Sequence, residues 1–227
     1  MGRAELDRLC DDIGLDTIEI GNAVGVAMEA GVIPWGDWEG TKDLLEQVRA
    51  GTPLGRIIGN GTAHVAKTFG IARVPVVKGQ GLPAWEPRTL KGMGVTYSTS
   101  PQGADHTAGM VTARGATTET LIKTSRHEQL VMMAIDSVGV CQFSNALPGD
   151  MAVFVSHRFG VNWDDATVQK MARQGIDAER EFNRRAGFDK EDDRLPAWLI
   201  DEALPLPDGP SRFDVSNEDL DRVWGEN

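Results

Sequence analysis

A short acidic turn occurs twice in this chain, and it limits the possible folds more than any other feature. The first copy is Asp11-Asp12-Ile13-Gly14-Leu15-Asp16, and the second is Asp136-Ser137-Val138-Gly139-Val140-Cys141. Both read Asp, two residues, Gly, an aliphatic residue, then Asp or Cys. Each follows a helical apolar repeat. Leu6, Leu9, Cys10 and Ile13 fall at i, i+3, i+4 and i+7 before the first. Leu130, Val131, Met133, Ala134 and Ile135 precede the second. The two turns are therefore expected at helix C-terminal ends, presented alike. A carboxylate accepts paired N–H donors, such as those of an aminopyrimidinone ring, and Gly lets main chain approach a flat ligand closely. Two such elements suggest two related halves of one ligand, each gripped once.

The rest of the chain reads as helical. Periodicity predicts helices over 3–13, 17–31, 62–69, 126–138, 151–158 and 164–186, with a further one carrying Leu44, Leu45 and Val48 up to a Gly51 cap. In the long segment 164–186 the expected buried stripe is Val168, Met171, Ala172, Ile176 and Phe182, with Asp164 and Asp165 at the positive end and Gly187 closing it. Ser216 should cap a last turn. The breaker-rich stretch 77–88 is expected to be an ordered loop, as are 109–115 and the acidic, Pro-rich 201–212. Small residues dominate from Gly92 to Ser100, so the main chain there can come close to something bulky. Nothing alternates in the way a parallel sheet requires, which makes the expected class mainly α and multihelical. A boundary near Leu90 would give two helical domains, 1–90 and 91–227.

Charge and cysteine count exclude several functions. The net charge is −11, and 189–227 holds 12 acidic against 4 basic residues. Such a field repels phosphate backbones, so no nucleic-acid partner is expected. No apolar run approaches the roughly 20 residues that span a bilayer. The start lacks the apolar core of a signal peptide, and the expected location is the cytoplasm. Gly55, Gly59 and Gly61 follow no strand and lack the Lys-Ser/Thr ending of a phosphate-binding loop. The histidines show no metal-ligand spacing, which leaves a metal-dependent hydrolase without support. The chain has 2 cysteines, Cys10 and Cys141; Cys10 lies on an apolar helical stripe and reads as a small buried hydrophobe.

Together with its flanking blocks, the double motif resembles the tungsten-containing aldehyde ferredoxin oxidoreductases. In that family two molybdopterin-type pterins hold one tungsten, each contacted by an Asp-x-x-Gly-Leu-(Asp/Cys) element. The resemblance implies that Asp11, Gly14, Leu15 and Asp16 serve one pterin. Asp136, Gly139, Val140 and Gln142 would serve the other, with Val140 where Leu is usual. It also implies that Cys141 is a thiolate ligand of a [4Fe–4S] cluster, which needs four cysteines; the other three must come from outside these residues. Tyr97-Ser98-Thr99-Ser100-Pro101-Gln102-Gly103-Ala104-Asp105-His106 is similar to the block lining the family's tungsten pocket. His106 would there move a proton or polarise the aldehyde oxygen. Gln102 and Asp105 depart from the family, standing where a basic residue and Cys are frequent. The segment Val77–Arg88 and the run Glu179 to Pro196 also match family blocks, and both read as packing.

The matching blocks correspond to the family's two helical C-terminal domains, domains 2 and 3. A β-rich domain that holds the pterin phosphates, a cysteine cluster and a glutamate near the metal have no counterpart here. The implied activity is oxidation of a small aldehyde to a carboxylic acid, with electrons leaving through the cluster to ferredoxin or a similar acceptor. The implied partner is an N-terminal domain or subunit of the same enzyme. A truncated, inactive fragment, or a scaffold subunit without cofactor, would carry the same packing blocks and is the alternative.

Overall fold

The computed structural model describes residues 2–225; Met1, Glu226 and Asn227 lie outside the described residues. Among those described, eleven α-helices account for nearly all regular structure, and the one sheet is a two-stranded hairpin. The protein is mainly α. Contacts divide it into two compact units, one of residues 1–84 with Pro196–Trp198, the other of 85–195 with the segment from Leu199 onward.

The first unit is built from α1 (Gly2–Ile13), α2 (Thr17–Glu29), α3 (Trp38–Ala50), α4 (Pro53–Gly59) and α5 (Thr62–Phe69). Leu9, Cys10, Ile20, Val24, Leu44, Leu45, Ile58 and Val65 form its core. Helix α4 does not stand out by periodicity, because two of its seven residues, Gly55 and Gly59, are glycines. Its start is nonetheless encoded: Thr52 caps it through a hydrogen bond from Gly55 N at 3.0 Å, and Pro53 takes the first turn. Gly55 is required there, since a Cβ would lie 2.0 Å from the Gln47 carbonyl oxygen of α3. The breaker-rich stretch contains the hairpin, β1 (Val76–Val77) and β2 (Gln80–Gly81), turning through Lys78 and Gly79, both at positive φ. Glu19 ties the unit together, accepting from Thr62 N at 2.7 Å and Gly81 N at 2.6 Å. Trp198 joins this unit, donating to the Val74 carbonyl at 3.2 Å while the Arg73 guanidinium stacks on its ring.

The second unit is organised around α6 (Lys91–Thr99), in which every residue from Gly92 to Thr99 is buried. The bulky neighbours that its small residues admit are the protein's own. A Cβ on Gly92 would lie 2.2 Å from Val111 Cγ1, and one on Gly94 would lie 2.4 Å from the Phe213 ring. Three of the α6 hydroxyls are satisfied within the helix: Thr96, Ser98 and Thr99 each donate to the carbonyl four residues back. The unit also contains α7 (Thr118–Val138), α8 (Pro148–Phe159), α9 (Asp165–Arg185), α11 (Asn217–Asp221) and, from Leu199 on, the end of α10 (Ala197–Asp201). Helix α7 begins eight residues before its apolar repeat, where Thr117 caps it. Ser216 caps α11, and Asp164 caps α9 by accepting from Thr167 N at 2.8 Å. One expectation fails on α9: Phe182 is 72% exposed, and the inward stripe runs through Val168, Ala172 and Ile176. Arg88 is buried and forked on Glu86, with both N···O distances 2.9 Å, and donates to the Glu202 carbonyl at 3.2 Å. Burial works to raise the Glu86 pKa, but the hydrogen bonds from Arg88 outweigh it and hold the carboxyl below its ordinary value.

Overpacking at a site so closely bounded has a definite cost. Gly92→Ala should destabilise the chain by about 1–3 kcal/mol, with a corresponding fall in the urea midpoint. Unchanged stability would show that Val111 moves aside freely.

Candidate functional site

The two acidic turns have the same main-chain geometry. At the end of α1, Gly14 N donates to Cys10 O at 2.8 Å and Asp11 O at 3.2 Å, and Leu15 N donates to Cys10 O at 2.9 Å. At the end of α7, Gly139 N donates to Ile135 O at 2.9 Å and Asp136 O at 3.2 Å, and Val140 N donates to Ile135 O at 3.1 Å. Gly14 has φ +84° and Gly139 φ +79°, the left-handed value that closes a helix. A Cβ at either glycine would meet nothing within 4 Å. Each glycine thus lies on an open face, with the preceding Asp exposed one turn back. Beyond the glycine the copies diverge. Asp16 caps α2, accepting from Glu19 N at 2.7 Å, so it has a structural task. Cys141 precedes a 3₁₀ turn, Gln142–Ser144, and makes no capping bond.

The two thiols differ in the same sense. Cys10 is 3% exposed, and its pKa is raised by burial first and then by Asp7, Asp11 and Asp16. Cys141 is exposed and free. An accessible thiolate is what a cluster ligand requires. Among the described residues no three His, Cys, Asp or Glu side chains are placed to hold a metal by themselves. In the first unit a cavity of 510 Å³ opens beside the first turn, walled by Leu6, Ile20, Val24 and Leu45 and by Cys10 and Thr17, which bracket that turn.

In the second unit, several polar side-chain atoms are buried without partners. His106 starts a 3₁₀ turn after α6; its Nδ1 is buried without a hydrogen bond, 3.6 Å from Asp105 Oδ1. The Tyr97 hydroxyl is buried and unpartnered, with its pKa raised by burial and then by the Asp105 charge. Asp136 is raised by desolvation and then by Asp105; Glu179 on α9 is raised by desolvation and then by Asp136. The second turn and the His106 block thus belong to one electrostatic neighbourhood. Glu179, read from sequence as packing, lies in it too. Its signal was available: it continues the α9 stripe three residues beyond Ile176, a carboxylate where an apolar side chain is usual. The exposed histidines His64 and His127 lie in α5 and α7, outside this group.

A family model described as aldehyde ferredoxin oxidoreductase, domains 2 & 3, matches residues 2–226. The chain belongs to the aldehyde ferredoxin oxidoreductase family. It is 27% identical to the tungsten-containing aldehyde ferredoxin oxidoreductase of Pyrococcus furiosus over 92% of this chain, and 27% identical to that of Thermococcus kodakarensis over 93%. An aliphatic sulfonate oxidoreductase, WOR-like subunit, of P. furiosus is 26% identical over 94% of the chain. The chain spans 39% of the length of the first two relatives and 37% of the third, and so corresponds to the C-terminal part of larger oxidoreductases. Among the described residues no helix is long and apolar enough to cross a membrane.

Two measurements probe these turns directly. Replacing Gly14 or Gly139 with Ala should cost about 1–2 kcal/mol each, the penalty for a Cβ in the left-handed region, and Asn should cost less than Ala. Urea titration reads both. A thiol reagent should label one cysteine in the folded chain and two in denaturant; rapid labelling of two in the folded chain would mean that Cys10 is not enclosed.

Proposed function

We propose that this chain is the helical C-terminal part of a tungsten–bis-pterin oxidoreductase, oxidising an aldehyde with water to a carboxylic acid while two electrons leave through a [4Fe–4S] cluster. The observation that carries the reading is the repeated helix-end geometry at Asp11–Leu15 and Asp136–Val140. A ligand made of two like halves calls for two like receptors, and the reading is supported by an exposed carboxylate three residues before an open, left-handed glycine in both turns.

Residue by residue, Asp11 and Asp136 would accept the paired N–H groups of the two pterin rings. Gly14 and Gly139 leave the ring faces room, and Leu15 and Val140 flank them. Asp16 acts through its cap on α2. Cys141 would bind iron, with Gln142 beside it and three thiolates supplied by the cysteine-bearing domain or subunit of the same enzyme. His106 would hold or pass the proton released when the aldehyde is hydrated and oxidised, a task suited to an imidazole free of a tight hydrogen bond at Nδ1. The bound cofactor supplies the two-electron chemistry, and the protein supplies position and electrostatics. Ferredoxin or a similar protein would take the electrons. The relatives are named for aldehydes and for aliphatic sulfonates, and the aldehyde assignment follows the more similar of them.

Co-expression with the cysteine-bearing partner, followed by metal analysis and an aldehyde oxidation assay, tests this reading. The complex should carry one tungsten and four cluster irons. Cys141→Ser should lose the cluster signal, and Asp136→Ala should lower tungsten content at least tenfold. The chain by itself should hold neither. Tungsten retained in full by a double Asp11→Ala, Asp136→Ala chain would overturn the assignment.

A further inference from the structure

No partner at Nδ1 aims the His106 ring. That atom is buried without a hydrogen bond, and the Asp105 carboxylate 3.6 Å away already accepts from the Thr107 N–H at 2.8 Å. The direction of the ring is therefore inherited from the main chain that carries it. That main chain is a small self-bonded piece. Ser100 N donates to Thr96 O at 2.9 Å, Gly103 N to Ser100 O at 3.1 Å and Asp105 N to Gly103 O at 2.8 Å. Gln102 N adds a bond to Ser100 Oγ at 3.1 Å. A turn bonded to itself in this way moves as a body, so whatever grips its ends decides where His106 points. Its exit is wedged against α7, because a Cβ on Gly109 would lie 3.1 Å from Gln129 N. Its entry is gripped by side chains from far downstream. Carbonyls at the end of α6 need donors that the helix cannot supply. The Thr99 carbonyl accepts from the Trp224 indole N–H at 2.9 Å and from Arg180 at 3.4 Å. The Pro101 carbonyl accepts from the Asn183 amide at 2.8 Å. These donors are braced in turn. Arg173 lies over the Trp224 ring at 5.6 Å, and Arg126 donates to the carbonyls of Arg222 at 2.6 Å and Val223 at 2.5 Å. Asn183 stands on α9, which meets α7 so closely that a Cβ on Gly175 would lie 2.6 Å from Met133 Sδ.

We propose that Asn183 and Trp224 are positioning residues for His106: their N–H donors hold the Pro101 and Thr99 carbonyls on either side of Ser100, and so set the turn that aims the imidazole. Asn183 belongs to the run from Glu179 to Pro196 that reads from sequence as packing, and this gives that run a task in the site. A misplacement of about 1 Å at a reacting group can slow a reaction about a hundredfold. Side-chain donors fixed by packing suit such a place, since a bridging water would leave the turn free to shift. The meaning for the reaction rests on His106 as the proton-handling group; the grip on the turn does not.

The grip is read in the chain alone, with no cofactor, from the ring ¹H–¹³C signals of its 4 histidines at one fixed pH. Asn183→Asp keeps the side-chain shape but loses the donor, and Trp224→Phe keeps a ring but loses the N–H. Each should shift or split the His106 signals, while those of His64, in α5 of the first unit, stay in place. Packing alone would lower the urea midpoint and leave the His106 signals where they were; that result in both variants would overturn the proposal. Should Trp224→Phe fail to fold, Asn183→Asp, at a half-buried position, decides by itself. In the co-expressed complex, Asn183→Asp should lower kcat for aldehyde oxidation by about ten- to a hundredfold. The loss should fall on kcat rather than KM, with tungsten and iron content unchanged. His106 signals that move in the chain alone, beside an unchanged kcat in the complex, would leave the positioning standing and overturn the proton-handling role of His106.

Discussion

A helix leaves its last carbonyl groups without partners, and both acidic turns answer that requirement in the same way. A glycine in the left-handed region folds the chain back, its N–H and the next one capping the final turn. The geometry is ordinary for a helix end. What is specific here is the carboxylate three residues before each glycine, kept outward and unused by the cap. The glycine cannot gain a side chain without strain, and the aspartate side chain takes no part in the cap. A position whose chemistry the fold does not consume is available for a ligand.

Much of this was legible from sequence because the signals are local. Helix-end glycines, Ser, Thr and Asp caps, and the apolar repeats of α1, α2, α5 and α9 each encode their own structure. Helix α4 was less legible because its glycines serve a tertiary contact with α3, which no local propensity reports. The same holds for α6: its small residues signalled close approach, but not that Val111 and Phe213 were the approaching groups. Phe182 misled because helical spacing alone cannot tell the last turn of a buried stripe from a side chain that has already rotated into solvent.

The site was readable only as far as motif and resemblance reached. Asp11, Asp136 and Cys141 stand in a pattern. Glu179 and Tyr97 stand in matching blocks that assign them no task, and enter through burial without partners. Enclosing such groups opposes folding unless something compensates, and the raised pKa values at Asp136 and Glu179 express that opposition. Buried polar atoms without partners cost stability in this corner of the second unit.

The return of Pro196–Trp198 to the first unit carries an evolutionary corollary. A tryptophan encoded more than a hundred residues downstream supplies an indole donor and a ring face to the segment around Arg73 and Val74. Neither unit is a contiguous block of sequence. Recombination at a single crossover after Ala84 would separate the first unit from its own tryptophan, so the pair is best regarded as one heritable module.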